Sequence, residues 1–332
     1  MEQRQLGKTG LKVSVLSFGC GAVGGLMTRG EPRDQERAVA RALELGITYF
    51  DSAALYGNGA SETNLGRVLA KLKPSPIVVA TKVRIPAAER GRIGAAIAGS
   101  LEASLKRLGR DHVDIFYCHN TIAAGGGGDT ITRDQLLNDA LPAFERLRKE
   151  GKTRHIGITA LGDTPLLLEV AGAGAFDVAQ ICFNALNPSA GEMLPAGYPA
   201  QDYQGLMRRA HKAGMGTIGI RVLAGGALSG STWRHPLAMP EVPPIGSGAD
   251  YQADLRRAQR LEPLIREGHA ASLSEMAMRY AITNPALSTT LIGLANLEQL
   301  EAAASAVLKG PLSAAALARL KELQLGFVGE AR

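Results

Sequence analysis

The chain has 332 residues, of which 45% are hydrophobic and 20% charged, and its formal net charge is +6. This composition is ordinary for a soluble enzyme, and the charges are too dispersed for a nucleic-acid surface. With no membrane-length apolar stretch and no secretory pattern at the start, we expect a cytoplasmic protein without a membrane partner. The distant cysteines Cys20, Cys118 and Cys182 predict reduced thiols and no metal site.

The main signal along the chain is an alternation of short apolar runs with longer segments of helical period. The first fourteen residues predict a β-hairpin with its turn at Lys8, Thr9 and Gly10. Eight apolar runs predict strands: 13–18, 48–50, 77–82, 113–118, 155–159, 178–182, 217–222 and 290–292. Helices are clearest at 34–46, with Asp34 as N-cap and Gly46 as stop, and at 93–109, 139–151 and 203–214.

Eight alternating strand and helix units predict a single (β/α)₈ TIM barrel domain over residues 1–332. The rival is a doubly wound open sheet, which would require a GxGxxG motif leading from the first strand into a helix. Gly19 and Gly21 match part of that motif, but no helix is predicted before Asp34, so the barrel is favoured. We expect the hairpin to close the bottom of the barrel and the tail from residue 313 to form an extra helix.

Two irregular segments follow predicted strands on the same face of the barrel. Residues 123–130 are rich in glycine and predict a mobile loop after the fourth strand. A long loop after the seventh strand, about 224–268, contains the only tryptophan, Trp233, and ends in an amphipathic segment from residue 250. Barrel enzymes carry their function in such loops, so both should border the site.

Polar residues stand at the C-terminal ends of three successive predicted strands. Asp51 follows the second strand, Lys82 ends the third and His119 follows the fourth, with Tyr56 in the loop behind Asp51. Taken singly, each is typical of a turn, a helix cap or the surface, although a βα loop is a place where a histidine is often functional. Because the carboxyl ends of parallel strands share one face, we expect the four at one site.

These four side chains suit proton transfer to a carbonyl oxygen. A lysine cation lowers the pKa of a neighbouring phenol, and a carboxylate behind the lysine holds the ammonium in place. Such a phenol can donate a proton to a carbonyl that takes up hydride, or accept one in the reverse direction. A histidine on the next strand can orient the same carbonyl through a hydrogen bond.

Residues 50–69, 78–83 and 113–120 resemble the signature regions of the aldo-keto reductases, a family of nicotinamide-dependent oxidoreductases with a (β/α)₈ barrel. The resemblance implies that Tyr56 is the general acid/base, that Lys82 tunes it and pairs with Asp51, and that His119 positions the substrate. Two alternatives stay open. One is a non-catalytic regulatory or channel-associated barrel, and the other is an aldolase- or isomerase-like barrel with a Schiff-base lysine.

The resemblance also implies cofactor contacts at the ends of the remaining strands. The expected cofactor-binding residues are Gly19, Gly21, Asp51, Thr159, Gln180, Arg221, Leu223, Gly225, Gly293, Asn296 and Gln299. Two positions depart from the family pattern. Ala160 stands where asparagine is common, and Ile220 stands where many members stack an aromatic ring on the nicotinamide.

The eighth unit bears on the choice between NAD and NADP. Members that prefer NADPH typically carry Lys or Arg just after the glycine of the eighth strand. Residues 293–303 contain no cation and two acids, Glu298 and Glu301, so we expect NAD. The alternative is NADP with a cation from the helical segment of the long loop: Arg256, Arg257 or Arg260.

The departures from the family pattern resemble the branch of galactose, fucose and other aldose dehydrogenases. That resemblance implies a small carbonyl compound or sugar as the substrate. The expected substrate pocket consists of Leu55, Tyr56, His119, Asn120 and Trp233. The sequence leaves the oligomeric state and the direction of the reaction open.

Overall fold

The computed structural model describes residues 1–331, so the last residue of the predicted domain, Arg332, lies outside the described part. Its strands in chain order are β1 (Gln3–Gln5), β2 (Lys12–Ser14), β3 (Leu16–Gly19), β4 (Tyr49–Asp51), β5 (Val78–Val83), β6 (Val113–Cys118), β7 (Thr121–Ile122), β8 (Thr130–Ile131), β9 (Thr153–Ala160), β10 (Val178–Cys182), β11 (Gly216–Ile220) and β12 (Thr289–Gly293).

Helices lie between and after the strands. They are α1 (Leu26–Arg29), α2 (Pro32–Glu44), α3 (Ala60–Leu72), α4 (Ile93–Leu108), α5 (Leu141–Lys149), α6 (Thr164–Gly172), α7 (Leu206–Lys212), α8 (Tyr251–Gln259), α9 (Pro263–Arg266), α10 (Leu273–Thr283), α11 (Leu297–Leu308) and α12 (Ala314–Leu325). Within residues 1–331 no helix is both long and apolar enough to span a bilayer.

Eight strands form the predicted closed barrel, in the order β3-β4-β5-β6-β9-β10-β11-β12. All neighbours are parallel, and β12 returns to β3 with Gly293 opposite Gly19. The predicted spans of β6 and β10 agree with the structure to the residue. The predicted first strand, 13–18, is wrong at its start, because Val13 pairs with Arg4 in the hairpin and the barrel strand begins at Leu16.

The N-terminal hairpin closes the bottom of the barrel, as expected. Strands β1 and β2 are antiparallel and are joined through a short 3₁₀ turn, Gly7–Thr9. Leu6 and Val13 are fully buried and pack with Tyr49, Val78 and Ile218 inside the barrel. Since these last residues lie near the N-terminal ends of their strands, the hairpin covers the face opposite the loops that carry function.

The predicted helix ends agree with the structure better than the predicted helix starts. The glycines that follow four predicted helices all have left-handed φ angles: Gly46, Gly109, Gly151 and Gly214. Asp34 as N-cap is wrong, because α2 starts at Pro32 with Glu31 as the cap residue. Proline suits the first helical position, and Asp34 lies in the first turn, where a carboxylate complements the helix dipole. A π-helical turn, Gln135–Ala140, precedes α5, so the helical segment begins upstream of the expected start at 139 although α5 itself begins at Leu141.

Both loops predicted to border the site are anchored to the barrel. The glycine-rich segment is held by the short β7–β8 pairing and by Arg90, which donates to the carbonyls of Gly128 and Thr130. In the long loop, helix α8 begins with Asp250 as its N-cap and carries Arg257, which is 3% exposed. Arg257 binds the chain end through Glu330 at 3.1 Å, so the tail braces this loop.

Candidate active site

Polar side chains meet in the upper interior of the barrel. Successive residues that face the interior are two apart along a strand. Tyr49 and Asp51 follow this rule on β4, and the β5–β6 register places Lys82 opposite Tyr117. The Tyr49 hydroxyl lies 2.9 Å from that of Tyr117 and 3.3 Å from the Asp51 carboxylate. The sequence analysis missed both tyrosines, although their spacing of two from Asp51 and His119 was a usable signal.

Asp51 and Lys82 form an ion pair with side chains only 2% and 0% exposed. Lys82 Nζ also donates to the Ser52 carbonyl at 2.8 Å, and Gln180 Nε2 donates to Asp51 Oδ2 at 2.6 Å. Burial alone would lower the pKa of Lys82, but the contacts with Asp51 and Tyr56 together raise it. Lys82 is therefore a fixed cation, because breaking such a pair would leave an uncompensated buried charge.

Tyr56 lies in the loop after β4 with its hydroxyl 3.2 Å from Lys82 Nζ. The ammonium is 4.8 Å from the centroid of the phenol ring. Gly21 borders the other side, where an added Cβ would lie 3.6 Å from the ring. Burial raises the pKa of Tyr56 and the Lys82 charge opposes that rise, so the net direction is upward rather than the expected lowering. The expected effect of the lysine is present, but desolvation is larger.

His119 stands beside Tyr56 with the two ring centroids 5.9 Å apart and the planes at 85°. Its Nδ1 is buried and has no hydrogen-bond partner. Burial, with the nearby charges of Lys82 and Arg84, holds the pKa of His119 well below its ordinary value. The imidazole is therefore neutral at pH 7 and can offer a hydrogen bond without adding a charge to the site.

Thr159 and Gln180 are neighbours in register on β9 and β10, and both are buried. Thr159 Oγ1 donates to the Cys118 carbonyl at 3.3 Å, while Gln180 holds Asp51 as described above. Both expected cofactor residues thus already have partners within the chain. Ala160, next to Thr159, is also buried.

The glycines at the barrel junction differ in what surrounds them. A Cβ at Gly19 would clash with the Ile292 carbonyl, so that glycine is required for strand packing. Gly293 is exposed, and a Cβ there would lie 3.2 Å from the Gly24 nitrogen. Gly21 thus has ordinary contact with the Tyr56 ring, whereas the approach of Gly24 leaves little room for a side chain at position 293.

The segment after β11 has an unusual backbone. Arg221 has φ 58° and the buried Gly225 has φ 69°, both in the left-handed region. Arg221 Nη1 donates to the Pro243 carbonyl at 3.2 Å, and burial lowers the pKa of its guanidinium. Leu223 precedes the 3₁₀ turn Ala224–Ser229, which is interrupted by the left-handed Gly225 and Gly226.

Asn296 and Gln299 cap helix α11 at the end of the eighth unit. Asn296 Oδ1 accepts from the Gln299 nitrogen at 3.0 Å, and Gln299 Oε1 accepts from the Ala295 nitrogen at 2.8 Å. This reciprocal arrangement satisfies backbone donors that the first helical turn would leave free. Their side-chain amide nitrogens have no bonded partner within residues 1–331.

The long-loop arginines are mostly committed to the chain itself. Arg257 and Arg260 both form ion pairs with Glu330. Arg256 is exposed, and no partner for it is found in the described part of the chain. Of these three arginines, Arg256 is the one that is available without rearrangement of the tail.

Two of the expected substrate residues are exposed and one is not. Leu55 is 47% exposed and Trp233 is 69% exposed, both on loops at the mouth. Asn120 is 1% exposed, and its side chain bonds Ile85 N at 2.8 Å, Ile85 O at 2.9 Å and Asp129 O at 3.1 Å. Its amide is thus occupied in holding the glycine-rich loop. Among residues 1–331, no three His, Cys, Asp or Glu side chains are grouped to hold a metal.

The fold and these contacts define a (β/α)₈ barrel whose C-terminal mouth holds a phenol on a buried ion pair. Residues 15–325 match the sequence profile of the aldo/keto reductase family, and the chain belongs to that family. The L-galactose dehydrogenase of Arabidopsis thaliana is 31% identical over 317 residues, which cover 92% of this chain and 88% of that protein.

Other relatives carry different descriptions. The L-glyceraldehyde 3-phosphate reductase of Escherichia coli O157:H7 is 26% identical, with 91% of this chain and 86% of that protein covered. A probable voltage-gated potassium channel subunit beta from Oryza sativa subsp. japonica is also 26% identical, with 88% and 87% covered. The holo form of an aldo-keto reductase from Bacillus halodurans superposes with a TM-score of 0.72 at 24% identity, covering 100% of this chain and 98% of that one. The family typically comprises NAD(P)-dependent oxidoreductases that act on small carbonyl compounds.

Proposed function

We propose that this protein is an NAD(P)-dependent oxidoreductase that interconverts a carbonyl and an alcohol, with Tyr56 as the general acid/base. The observation that carries the proposal is the 3.2 Å contact between the Tyr56 hydroxyl and the buried Lys82 cation. A phenol placed on a fixed positive charge can give up its proton and keep the resulting anion stabilised. The neutral His119 stands at its edge, within reach of the same substrate oxygen.

Each of the four residues has a distinct part in this proposal. A bound nicotinamide supplies a hydride to the carbonyl carbon or removes one from the alcohol. Tyr56 donates its hydroxyl proton to the carbonyl oxygen during reduction, and Lys82 stabilises the phenolate that remains. Asp51 keeps Lys82 in place, with Tyr49 and Gln180 bonded to the far carboxylate oxygen. His119 donates a hydrogen bond that orients the carbonyl.

The residues at the mouth are compatible with a nicotinamide dinucleotide. Gly21 places no side chain beside the Tyr56 ring, which leaves room there for a planar group. Gly225 is buried, and a Cβ there would lie 2.7 Å from Val242 Cγ1, so we assign it to the turn after β11 rather than to a direct ligand contact. We assign Thr159 and Gln180 to the nicotinamide end, and Arg221 and Leu223 to the pyrophosphate. Three residues would hold the adenosine end: Gly293, Asn296 and Gln299. Gly19 we assign to strand packing.

We infer a preference for NAD over NADP. Helix α11 begins with no cation at residues 293–303, and Arg257 and Arg260 are already paired with Glu330. The 2′-phosphate of NADP would meet the exposed Glu298 and no paired cation. An uncompensated anion at this position is unfavourable, since desolvating it without a partner costs free energy.

For the substrate we propose a small aldehyde or aldose. The support is the family membership, the similarity to an L-galactose dehydrogenase and the open rim with Leu55 and Trp233. We assign Asn120 to holding the rim rather than to touching the substrate. We also propose that residues 1–332 act as one domain in a reducing, cytoplasmic compartment, since the three cysteines are buried free thiols.

The direct test is absorbance at 340 nm with a panel of aldehydes and aldoses, run in both directions with NAD and NADP. Turnover with any pair supports the proposal. Absence of turnover with every pair, despite cofactor binding, would favour the regulatory barrel instead. Borohydride trapping of a substrate on Lys82 would contradict the proposal and favour Schiff-base chemistry.

A further inference from the structure

Arg84 is a cation at the barrel mouth that the proposed chemistry does not use. On β5 the inward positions are two apart, so Arg84 follows Lys82 on the same side of the chain. His119 follows Tyr117 in the same way on β6, and Lys82 is opposite Tyr117 in the register. Arg84 therefore lies level with His119, and the pKa of that histidine is lowered partly by the Arg84 charge.

The partners of Arg84 leave much of its hydrogen-bonding capacity unused. Its Nη1 lies 2.7 Å from the carboxylate of Asp129 in the glycine-rich loop, and that carboxylate is 65% exposed. Its Nε is buried and has no hydrogen-bond partner. A guanidinium has five donors in a planar fork that matches carboxylate and phosphate. Here one exposed carboxylate occupies one arm, and a buried donor is left without an acceptor.

The surroundings of the reacting groups favour a negative charge. Lys82 is neutralised by Asp51, and the nearby Arg221 forms no salt bridge within residues 1–331. Within the described part of the chain, Arg84 is paired only with Asp129, which lies on a loop rather than on a barrel strand. A barrel mouth with these charges attracts anions. An anion that replaces Asp129 would form a charge-assisted hydrogen bond with Arg84 close to His119.

We propose that Arg84 is a specificity-determining residue that binds an anionic group, a carboxylate or a phosphate, on the substrate. The preferred substrates are then acidic carbonyl compounds, with the anion a few bonds from the carbonyl held by Tyr56 and His119. Asp129 occupies Arg84 in the free protein and is displaced by the substrate. This inference rests on the proposed function, because it assumes that the carbonyl binds at Tyr56.

The competing explanation is that Arg84 and Asp129 only fasten the glycine-rich loop. Two variants separate the ideas because their predicted effects have opposite signs. Arg84→Gln removes the anion-binding group, whereas Asp129→Asn removes its internal competitor and leaves Arg84 free. If the pair is only a fastener, both variants should loosen the loop in the same way. Arg90→Gln is the matched control, since it removes contacts with Gly128 and Thr130 and keeps Arg84.

The test compares substrates that share a carbonyl and differ in charge: glyceraldehyde with glyceraldehyde 3-phosphate, and butanal with succinic semialdehyde. For Arg84→Gln we expect KM to rise about tenfold or more for the charged member, with kcat and the neutral member little changed. Arg84→Lys should recover part of the loss, and Asp129→Asn should lower KM for the charged member. The pair with the larger effect identifies phosphate or carboxylate as the group bound.

Several outcomes would overturn the inference. One is an unmodified protein that reduces the neutral aldehydes but shows no preference for either charged partner, which leaves the proposed function standing. Another is an equal loss of kcat/KM for neutral and charged substrates in Arg84→Gln, Asp129→Asn and Arg90→Gln. That result would mean that Arg84 and Asp129 only hold the glycine-rich loop in place. Failure to turn over any member of either pair would count against the inference and the proposed function together.

Discussion

The hydroxyl of Tyr56 accepts a hydrogen bond from Lys82 Nζ at 3.2 Å, and this contact joins the partly exposed mouth to the buried interior of the barrel. Behind it, Lys82 is held by Asp51 and by the Ser52 carbonyl. Burial raises the pKa of Tyr56, and the lysine charge is the main force that opposes the rise. The proton affinity of the phenol should therefore depend directly on the charge at position 82.

Replacement of Lys82 by methionine tests this dependence. Without the cation the pKa of Tyr56 rises further, and alcohol oxidation, which needs the phenolate, should move to higher pH. The measurement is kcat/KM for oxidation as a function of pH. Lys82→Arg keeps the charge and should shift the profile less. A profile of unchanged position and lower amplitude in Lys82→Met would mean that the lysine acts only structurally.

The cofactor preference can be measured and then altered at helix α11. In the unmodified protein we expect kcat/KM to favour NAD by at least about tenfold, because no free cation meets the 2′-phosphate. Asn296→Arg should move the ratio toward NADP. It also removes the N-cap bond to Gln299, at a cost of about 1 kcal/mol in folding free energy.

Asn296→Ala is the control for that loss, since it removes the cap and adds no charge. It should lower the melting temperature to a similar extent and leave the NAD to NADP ratio unchanged. A ratio that already favours NADP in the unmodified protein would contradict the inference. Arg256 in the long loop would then be the first residue to examine.

Asp254 in the long loop should make the protein less stable above about pH 6 than it is at acidic pH. Burial raises the pKa of this carboxyl to about 6, against the hydrogen bond from Ser247, and its Oδ1 has no partner. Because the folded pKa is raised, the folded state carries no penalty below the ordinary value near 3.8 and the full penalty above about 6. Stability should therefore fall as the pH rises through that window.

Asp254→Asn removes the buried charge and should increase the unfolding free energy at pH 7.5, on the order of 1 kcal/mol. The gain should vanish at about pH 3 and below, where Asp254 is mostly protonated in both states. Denaturant unfolding at the two pH values is the measurement. Asp250→Asn keeps the N-cap of α8 and removes a charge that contributes less than burial to the raised pKa of Asp254, so its gain at pH 7.5 should be smaller. An equal gain at both pH values would contradict the explanation.

The fold was predictable because its signals are local and repeat eight times. Each short apolar run and each glycine stop reflects one strand or helix, so errors at single boundaries did not change the topology. The failures have local causes as well. Val13 was assigned to the barrel strand because its pairing with Arg4 in the hairpin is not visible in the local pattern. Helix α2 begins at Pro32 rather than after Asp34, because proline suits the first helical position.

The position of the site was predictable for the same reason, while its internal contacts were not. Strand ends on one barrel face bring Asp51 and Lys82 together, and the spacing of two could also have indicated Tyr49. The contacts of Asn120 with Ile85, 35 residues away, have no signature in the sequence. The pKa of Tyr56 has no signature in the sequence either. Burial and the Lys82 charge shift it in opposite directions, and the relative size of the two effects depends on the folded structure.

The most direct test of the central claim is the turnover of Tyr56→Phe. Phenylalanine keeps the ring beside His119 and Gly21 and removes only the hydroxyl that contacts Lys82. We predict that cofactor binding, followed by fluorescence titration, stays nearly unchanged while kcat falls by about 10² or more. Turnover close to that of the unmodified protein, with the cofactor bound, would contradict the assignment of Tyr56 as the proton donor.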